Sequence, residues 1–292
     1  MSSEASAPCI DALIAAGKLP DSYRILVDAY WRPLAVKIAG WRREKNRPII
    51  VGVNGGQGSG KTTVCKFLEK CLLPEQGLAA VTVSLDDFYL PKTDRSELAK
   101  NTHPLFATRG APGTHDVAEM GRILKALKAG VAVTMPVFDK SCDDRAPESE
   151  WRRIEYGPDI ILFEGWCVGA AAQDEEALTA PVNRLEREED ADGVWRARVN
   201  ERLASDYQTV FALIDYLVML RAPDMETILE NRREQERKLR EGRPGAEGVM
   251  SDGQVARFVQ FYERLTRHML AEMPARADLV FDLEELRQRQ GE

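Results

Sequence analysis

The sequence is poor in the residues that build metal clusters and disulfide frameworks. Its 292 residues include three histidines and five cysteines, and the cysteines form no C-x-x-C pair. An odd count without such a pair argues against a zinc cluster or a set of paired disulfides. We therefore expect reduced thiols that serve as small apolar fillers, at Cys9, Cys65, Cys71, Cys142 and Cys167.

Long apolar runs are also missing. The longest, such as Tyr216 to Leu220, reach about five residues, whereas a membrane-spanning helix needs roughly 20. The segment Met1 to Ala7 has neither the basic stretch nor the apolar core of a secretory signal. These features predict a cytoplasmic protein without a membrane association.

An excess of positive charge is absent as well. Lys and Arg number 40 against 47 Asp and Glu, so the net charge is -7. A general nucleic-acid binder usually carries a basic stripe, and we expect no nucleic-acid partner. If the substrates are anions, local basic residues must hold them against the overall charge. The sequence leaves the oligomeric state open.

What is present is the pattern of a parallel α/β protein. Short β-branched and apolar runs alternate with helical segments such as 117–127, which predicts a mainly parallel sheet covered by helices on both faces. Val131 to Phe138 is a further candidate strand, placed at an edge because Pro136 cannot donate to a ladder. The predicted strands are 48–53, 80–85, 160–163, 216–220 and 279–282.

The chain divides into an N-terminal extension and a main domain. Residues 1–47 have apolar positions at helical spacing and are divided by Pro20 and Pro33 into short helices. Residues 48–292 form the main domain, in which about 173–207 is a heavily charged, solvated helical insertion. A second charged helix, 224–241, ends at a predicted hinge, Gly242-Arg243-Pro244-Gly245.

The most specific motif follows the first predicted strand. Residues 55–62 match G-x-x-x-x-G-K-[ST] and open a predicted helix, as a phosphate-binding loop requires. Backbone N–H groups of such a loop surround phosphate oxygens at a helix N-terminus. Lys61 then reaches the β and γ phosphates, and the Thr62 hydroxyl ligates Mg²⁺. The predicted nucleotide-binding residues are Gly55, Gly56, Gln57, Gly58, Ser59, Gly60, Lys61, Thr62 and Thr63.

Carboxylates close two of the other predicted strands. Asp86 and Asp87 follow the second strand, and Glu164 ends the apolar run 160–163. Since the carboxyl ends of parallel strands line the ligand crevice, these groups are expected to face the phosphates. Alternation along a strand would send Asp86 and Asp87 to different sides, one as a proton acceptor and the other as a structural cap. Glu164 is predicted to bind magnesium with Thr62.

Two polar loops supply cations. Residues 109–116 join Arg109 to a turn and to Asp116, which also has the position of a helix N-cap. Residues 138–145 place Lys140 and Arg145 among aspartates. Together the loops offer three cations to an anionic substrate.

The motifs resemble those of P-loop small-molecule kinases related to uridine kinase, phosphoribulokinase and pantothenate kinase, and within that group the D-glycerate 3-kinase family. The resemblance covers roughly residues 30 to 285 and rests on the phosphate loop, SLDDFYL (84–90), RGAPGTHD (109–116), FDKS (138–141), FEGW (163–166), and MSD (250–252) with Phe258 and Tyr262. It implies a kinase-type P-loop NTPase fold, a three-layer sandwich with a helical lid at about 224–255.

The resemblance also implies roles for individual residues. ATP and Mg²⁺ are the expected cofactors, Asp86 matches the catalytic carboxylate, and Glu164 matches the acidic residue that binds magnesium. The lid helix would carry 231–236, with Arg232 or Arg233 closing over the phosphates. Candidate catalytic residues are thus Asp86, Lys61, Arg232 and Arg233, and candidate substrate-binding residues are Asp86, Tyr89, Arg109, His115, Asp116, Lys140 and Arg145.

The expected reaction is phosphorylation of D-glycerate to 3-phosphoglycerate, and two alternatives stay open. The first is another kinase acceptor, namely a nucleoside, pantothenate or a sugar phosphate. An aromatic content of 7% argues against base stacking. Departures from the glycerate kinases concern this choice: Asn231 where relatives tend to have tryptophan, and the short link Cys142-Asp143. The second alternative is a non-catalytic ATP sensor. A GTPase switch would need an N-K-x-D motif, which is missing, and metal delivery would need His or Cys clusters.

Overall fold

A five-stranded parallel sheet forms the centre of the computed structural model, which describes residues 3–242 and 250–291. Within these residues the strands are β1 (Ile49–Gly55), β2 (Ala80–Ser84), β3 (Val133–Met135), β4 (Phe138–Asp139), β5 (Asp144–Arg145), β6 (Arg152–Ile154), β7 (Ile160–Gly165), β8 (Tyr216–Arg221) and β9 (Leu279–Asp282). The main sheet has the order β2-β7-β1-β8-β9, and all four pairings are parallel. The predicted fold class is confirmed.

Helices surround the sheet. They are α1 (Ser3–Ala16), α2 (Tyr23–Leu26), α3 (Arg32–Lys45), α4 (Lys61–Phe67), α5 (Leu73–Glu75), α6 (Lys92–Asn101), α7 (Val117–Lys128), α8 (Arg184–Glu189), α9 (Val194–Arg202), α10 (Gln208–Phe211), α11 (Met225–Gly242), α12 (Asp252–Glu272) and α13 (Leu283–Gly291). Turns of π-helix at 27–31, 68–72 and 203–207 link α2 to α3, α4 to α5, and α9 to α10. Pro33, predicted to end a helix, does not interrupt the helical segment 23–45. It directly follows the π-helical turn 27–31, in which Arg32 N bonds to Val27 O, so its missing N–H falls at the junction between two kinds of helix.

Alternation along β1 distributes its side chains between two cores. Ile49, Val51 and Val53 pack with α1–α4 on one face, whereas Ile50 packs with α7 and α12 on the other. The helices of residues 3–45 therefore share a core with the sheet. Burial on both faces explains why the strands are continuously apolar.

The segment predicted as an edge strand does not join the main sheet. It forms β3, which pairs with β6, and β4, which pairs with β5, each in a separate antiparallel ladder. Pro136 lies between the two strands, where it cannot donate a hydrogen bond and ends the first ladder.

A disulfide corrects the prediction of five reduced thiols. Cys9 of α1 is bonded to Cys71 in the π-helical turn after α4, with Cα atoms 5.9 Å apart. The partners are 62 residues apart in sequence, so no short spacing motif could reveal them. Cys65, Cys142 and Cys167 are free thiols, as predicted, but only Cys65 and Cys167 are buried, so Cys142 does not fill the core. Disulfides are rare in reducing compartments such as the cytoplasm, so this bond does not support the predicted cytoplasmic location, which stays a prediction.

The insertion at 173–207 is helical, but its charges are not all solvated. Glu186, Asp190 and Arg196 are buried. Arg264 of α12 forms a bidentate ion pair with Glu186, in which Nε and Nη2 each lie 2.7 Å from a carboxylate oxygen. Buried charges need such partners, so the Arg264–Glu186 pair fastens the insertion to α12, whereas Arg196 and Asp190 pair with each other within the insertion. In the part of the chain that the structure describes, no helix is long and apolar enough to cross a bilayer.

Candidate active site

The phosphate-binding loop runs from the carboxyl end of β1 into α4. Gly58 and Gly60 have φ of 73° and 86°, in the left-handed region that residues with a Cβ rarely adopt. A Cβ on Gly58 would also lie 2.6 Å from the Cβ of Asn231 on α11. The loop can therefore turn sharply beneath α11 and direct its backbone N–H groups at an anion.

Lys61 lies over this loop and is held by its backbone. Its Nζ donates a hydrogen bond to the carbonyl oxygen of Gly56 at 3.0 Å. Burial lowers the pKa of Lys61, while the negative charges of Glu164 and Asp86 oppose that shift. A phosphate on the loop would supply a further negative charge and favour the ammonium form.

Glu164 and Thr62 meet because neighbouring parallel strands end together. Glu164 of β7 is in register with Val53 of β1 and Ser84 of β2. Its buried carboxylate accepts a hydrogen bond from the Thr62 hydroxyl at 3.0 Å. A hydroxyl and a carboxylate are hard oxygen donors that suit Mg²⁺, so the pair fits the ion that the loop motif implies.

Asp86 and Asp87 both line the cleft beside the phosphate loop. The prediction that they would point to different sides does not hold, because the chain leaves β2 in a 3₁₀ turn, Leu85–Phe88, and strand alternation stops there. Asp86 accepts hydrogen bonds from the Tyr89 hydroxyl at 3.2 Å and from Lys140 Nζ at 2.6 Å. The backbone N–H of Phe138 donates to Asp87 at 3.4 Å.

The two aspartates differ in acidity. Burial raises the pKa of Asp86, but the positive charges of Lys140 and Lys61 outweigh it and hold that pKa below its ordinary value. Burial raises the pKa of Asp87 from 3.8 to about 6, and the negative charge of Asp86 adds to this shift. At neutral pH Asp86 is therefore ionised and available as a proton acceptor.

A tight turn places Arg109 at the cleft. Gly110 has φ of 137°, and a Cβ there would lie 2.2 Å from the Tyr262 hydroxyl. The buried Thr114 closes the turn, since its hydroxyl accepts a hydrogen bond from Gly110 N at 3.1 Å and donates one to Ala111 O at 2.7 Å. The Arg109 guanidinium lies 5.4 Å from the Phe138 ring centre and pairs with Asp143.

Aromatic side chains form the wall next to Arg109. Trp166 donates from Nε1 to Gly110 O at 3.0 Å and meets Tyr262 edge to face at 4.8 Å. Phe258 lies one helical turn before Tyr262 on α12, with ring centres 5.0 Å apart. Tyr89 completes this wall, and burial strongly raises the pKa of its hydroxyl.

The predicted lid helix is α11, and it lies on the phosphate loop. Ile228 of α11 is within 3.0 Å of a Cβ built on Gly56. Arg232 lines the cleft, pairs with Glu236, and lies 5.5 Å from the Phe258 ring centre. Arg233 is exposed and does not line the cleft. Beyond Gly242, the predicted hinge falls outside the described residues.

These groups share one cleft of about 440 Å³. Predicted site residues that line it are Gln57, Gly58, Gly60, Lys61, Thr62, Thr63, Asp86, Tyr89, Arg109, Lys140, Glu164 and Arg232. Gly55, Gly56 and Ser59 lie within the loop but not on the cleft surface.

Three predicted substrate residues lie outside the cleft. His115 is stacked behind Tyr89 with ring centres 4.4 Å apart, and burial lowers its pKa to about 3. Asp116 caps α7 by accepting a hydrogen bond from Glu119 N at 3.1 Å. Arg145 donates to the Tyr89 carbonyl at 3.1 Å and lies 3.6 Å from Asp116. The structure gives these three residues supporting positions behind the cleft.

Comparison with known proteins agrees with this geometry. Residues 50–174 match the model of the Phosphoribulokinase / Uridine kinase family. A protein described as "Uncharacterized kinase mug58" from Schizosaccharomyces pombe is 37% identical over 231 residues, which cover 75% of this chain and 80% of that protein. This chain belongs to the phosphoribulokinase and uridine kinase family.

Two further relatives carry a substrate in their names. The chloroplastic D-glycerate 3-kinase of Arabidopsis thaliana is 29% identical over 255 residues, covering 82% of this chain and 53% of that protein. The chain thus spans about half the length of that enzyme. A solved structure of D-glycerate 3-kinase from Cryptococcus neoformans var. grubii has a TM-score of 0.68 at 24% identity and covers 86% of this chain and 96% of its own. That likeness concerns the fold.

Several residues that line the cleft of this P-loop kinase were not predicted as site residues. They are Ser84, Gly165, Trp166, Gln235, Phe258 and Tyr262, whereas Asp87 was the alternative to Asp86 as the proton acceptor. Phe258 and Tyr262 are four residues apart on α12, a spacing that puts both on one helix face. That spacing was a usable signal, but it does not show what the face covers. The overall aromatic content of 7% was a poor guide, because four aromatic residues converge on the cleft.

Proposed function

We propose that this kinase transfers the γ-phosphoryl group of ATP to a hydroxyl of a small hydroxy acid, with D-glycerate as the acceptor. The observation that supports this proposal most directly is that Arg109 and Lys140 share a small cleft with Asp86 and the phosphate loop. A carboxylate bound by these cations would bring its own hydroxyl close to the proton acceptor. The names of the Arabidopsis and Cryptococcus relatives support the choice of D-glycerate.

On the nucleotide side, the chain's own residues bind and neutralise phosphate oxygens. Backbone N–H groups of residues 55–62 surround the phosphates, and Lys61 exchanges the Gly56 carbonyl for a phosphate oxygen. Thr62 and Glu164 would hold Mg²⁺, which spreads the negative charge of the phosphates when bound. Arg232 adds a cation from α11 and, with the helix over the loop, excludes water from the transfer.

On the acceptor side, Asp86 orients the hydroxyl and receives its proton. The O–H bond breaks as the hydroxyl oxygen bonds to the γ-phosphorus, and the bond from that phosphorus to the β–γ bridging oxygen breaks to release ADP. Phosphoryl transfer requires alignment and charge stabilisation more than a strong nucleophile. When Lys140 moves from Asp86 to the acceptor's carboxylate, it also removes the charge that lowers the pKa of Asp86.

One experiment tests the proposal. The protein is incubated with ATP, Mg²⁺ and single candidate acceptors, namely D-glycerate, L-glycerate, pantothenate, uridine and ribulose 5-phosphate, and ADP release is measured. Phosphorus NMR then locates the new phosphate ester. We expect ADP release that depends on D-glycerate and yields 3-phosphoglycerate. Turnover with uridine alone would favour a nucleoside kinase. The aromatic side chains of Trp166, Phe258 and Tyr262 in the cleft are consistent with that alternative. ATP binding without acceptor-dependent ADP release would indicate a sensor.

Arg109→Lys provides the matching test of carboxylate recognition. Lysine keeps the charge but loses the planar fork that can bind a carboxylate with two parallel hydrogen bonds. We expect the KM for the acid to rise about tenfold or more while the KM for ATP stays within about twofold. Equal increases in both would refute the role assigned to Arg109.

A further inference from the structure

A single carboxylate connects two arginines beside the acceptor side of the cleft. Asp143 lies in the turn between β4 and β5, where its Oδ1 pairs with Arg109 Nη1 and its Oδ2 lies 3.2 Å from Arg95 Nη2. Both guanidinium groups also face the ring of Phe138, at 5.8 Å for Arg95 and 5.4 Å for Arg109. The two cations are thus held close together with one countercharge between them.

Arg95 depends on this arrangement because its side chain is fully buried. Its other hydrogen bonds go to neutral carbonyls, those of Leu90 at 3.1 Å and Ala107 at 3.0 Å. The carbonyl of Asp143 accepts a third at 2.6 Å. A buried guanidinium requires a negative partner, so the carboxylate of Asp143 stays with Arg95 whatever Arg109 binds.

Arg109, in contrast, can leave Asp143 without losing its position. The Phe138 ring and the turn through Gly110 already hold it at the cleft. Its side chain is 22% exposed and lines the cleft, whereas Asp143 does not. Arg109 can therefore direct its guanidinium at a bound acceptor while Asp143 remains on Arg95.

Charge counting then limits what the acceptor can carry. Asp143 balances one of the two positive charges of Arg95 and Arg109, and Asp86 balances the charge of Lys140, whether Lys140 stays on Asp86 or moves to the acceptor's carboxylate. The net charge of these five groups is therefore one positive charge, which matches an acceptor with one negative charge. A dianion would carry a second negative charge without a partner, because the other cations of the cleft, Lys61 and Arg232, are assigned to the nucleotide phosphates and the cleft also holds Asp87 and Glu164.

We propose that Asp143 is a specificity-determining residue that restricts this kinase to acceptors with a single negative charge. The inference rests on the proposed function, since it assumes that Arg109 binds the acceptor's carboxylate. It goes further in assigning the selection of acceptor charge to a residue that neither touches the nucleotide site nor lines the cleft.

Asp143→Asn tests the inference, because asparagine has nearly the same shape without the charge. D-glycerate serves as the monoanionic acceptor, glycerol as the neutral one, and glycerol 3-phosphate as a dianion with a primary hydroxyl. In the variant we expect the KM for D-glycerate to fall about three- to tenfold, as for the loss of one partly exposed ion pair. The inhibition constant of glycerol 3-phosphate against D-glycerate should fall further, by about tenfold or more, and any turnover of glycerol should not change, because glycerol has no charge for Arg109 to bind.

Asp139→Asn is the matched control. It removes the same charge from the same hairpin, but Asp139 bonds to Ser141 and does not contact Arg109. It should leave all three constants unchanged. An equal shift in this control would show a general effect of charge and overturn the inference, as would a higher KM for D-glycerate in Asp143→Asn, which would make Asp143 a positioning residue.

The wild-type protein gives a test that does not depend on the variant folding. Glycerol 3-phosphate should bind the unmodified kinase no more tightly than D-glycerate, and tenfold tighter binding would overturn the inference. If the wild type phosphorylates no hydroxy acid, the proposed function fails and the inference with it. If it phosphorylates D-glycerate but Asp143→Asn leaves the selectivity between the two anions unchanged, the inference alone fails.

Discussion

The ionisation of Asp87 gives a quantitative test of how charge is arranged in the cleft. Its half-buried side chain lies beside Asp86 and Glu164. Burial raises its pKa from 3.8 to about 6, and the hydrogen bond from Phe138 N does not cancel that shift. The native protein therefore binds this proton more tightly than the unfolded chain does.

The sign of the effect on stability follows directly. Protonated Asp87 contributes to the free energy of unfolding. This contribution is fully present below about pH 4 and is lost as the pH rises through about 6, because ionisation then favours the unfolded chain. A difference of about two pKa units corresponds to about 3 kcal/mol. Water at the open side of the cleft screens part of this cost, so we expect about 1 to 2 kcal/mol.

Asp87→Asn removes the ionisation and keeps an oxygen that can accept the Phe138 hydrogen bond. At pH 8, urea unfolding of the ligand-free protein should give a free energy of unfolding about 1 to 2 kcal/mol higher than that of the wild type. At pH 5 the gain should be about half to three quarters as large, at pH 4 about a fifth to a third, and it should vanish only near pH 3.

Asp86→Asn is the control for this prediction, because the positive charges of Lys140 and Lys61 outweigh burial and lower the pKa of Asp86. Its stabilising contribution is present at neutral pH and lost as the pH falls, so this variant should gain no stability at pH 8. A destabilised Asp87→Asn at pH 8, or a gain that is the same at pH 4 and pH 8, would refute the reasoning.

Three other variants test separate parts of the site. Lys61→Ala should lower kcat by about a hundred- to thousandfold with unchanged circular dichroism, since the side chain acts on the phosphates, and unaltered turnover would contradict that role. Asp86→Asn should lower kcat by about two to four decades while the KM for ATP persists; a wild-type kcat would transfer the role to Asp87. Gly110→Ala should lower the free energy of unfolding by about 1 to 3 kcal/mol, because the new Cβ would lie 2.2 Å from the Tyr262 hydroxyl. Gly253→Ala is its control, since a Cβ on Gly253 meets nothing within 4 Å, and equal losses in both would disprove the clash.

Local chemistry made much of the fold predictable. Each core strand is a short, largely apolar run, and all five predicted strands of the main sheet are present within one or two residues of their expected ends. The phosphate loop was recognisable because its glycines, which act through the backbone, and Lys61, which acts through its side chain, lie within eight consecutive residues. The position of Glu164 followed from the rule that parallel strands end at a common edge.

Features that depend on distant residues could not be predicted in the same way. The Cys9–Cys71 bond joins helices whose approach is set by packing on the sheet. The burial of Glu186 and Arg196 likewise depends on where α12 lies. A charged segment is therefore predicted from sequence to be solvated even when its charged side chains form buried ion pairs in the folded protein.

By itself, the sequence determined the strands, the phosphate loop and the residue types available for catalysis, because these depend on propensity and on neighbours in the chain. Only the tertiary structure decided that Arg109 and Lys140 face the cleft while Arg145, Asp116 and His115 lie behind it. The same holds for the aromatic wall and for Asp143 between two arginines. The physical reason is that a loop side chain takes its direction from turns and partners contributed by remote segments, which no local pattern encodes.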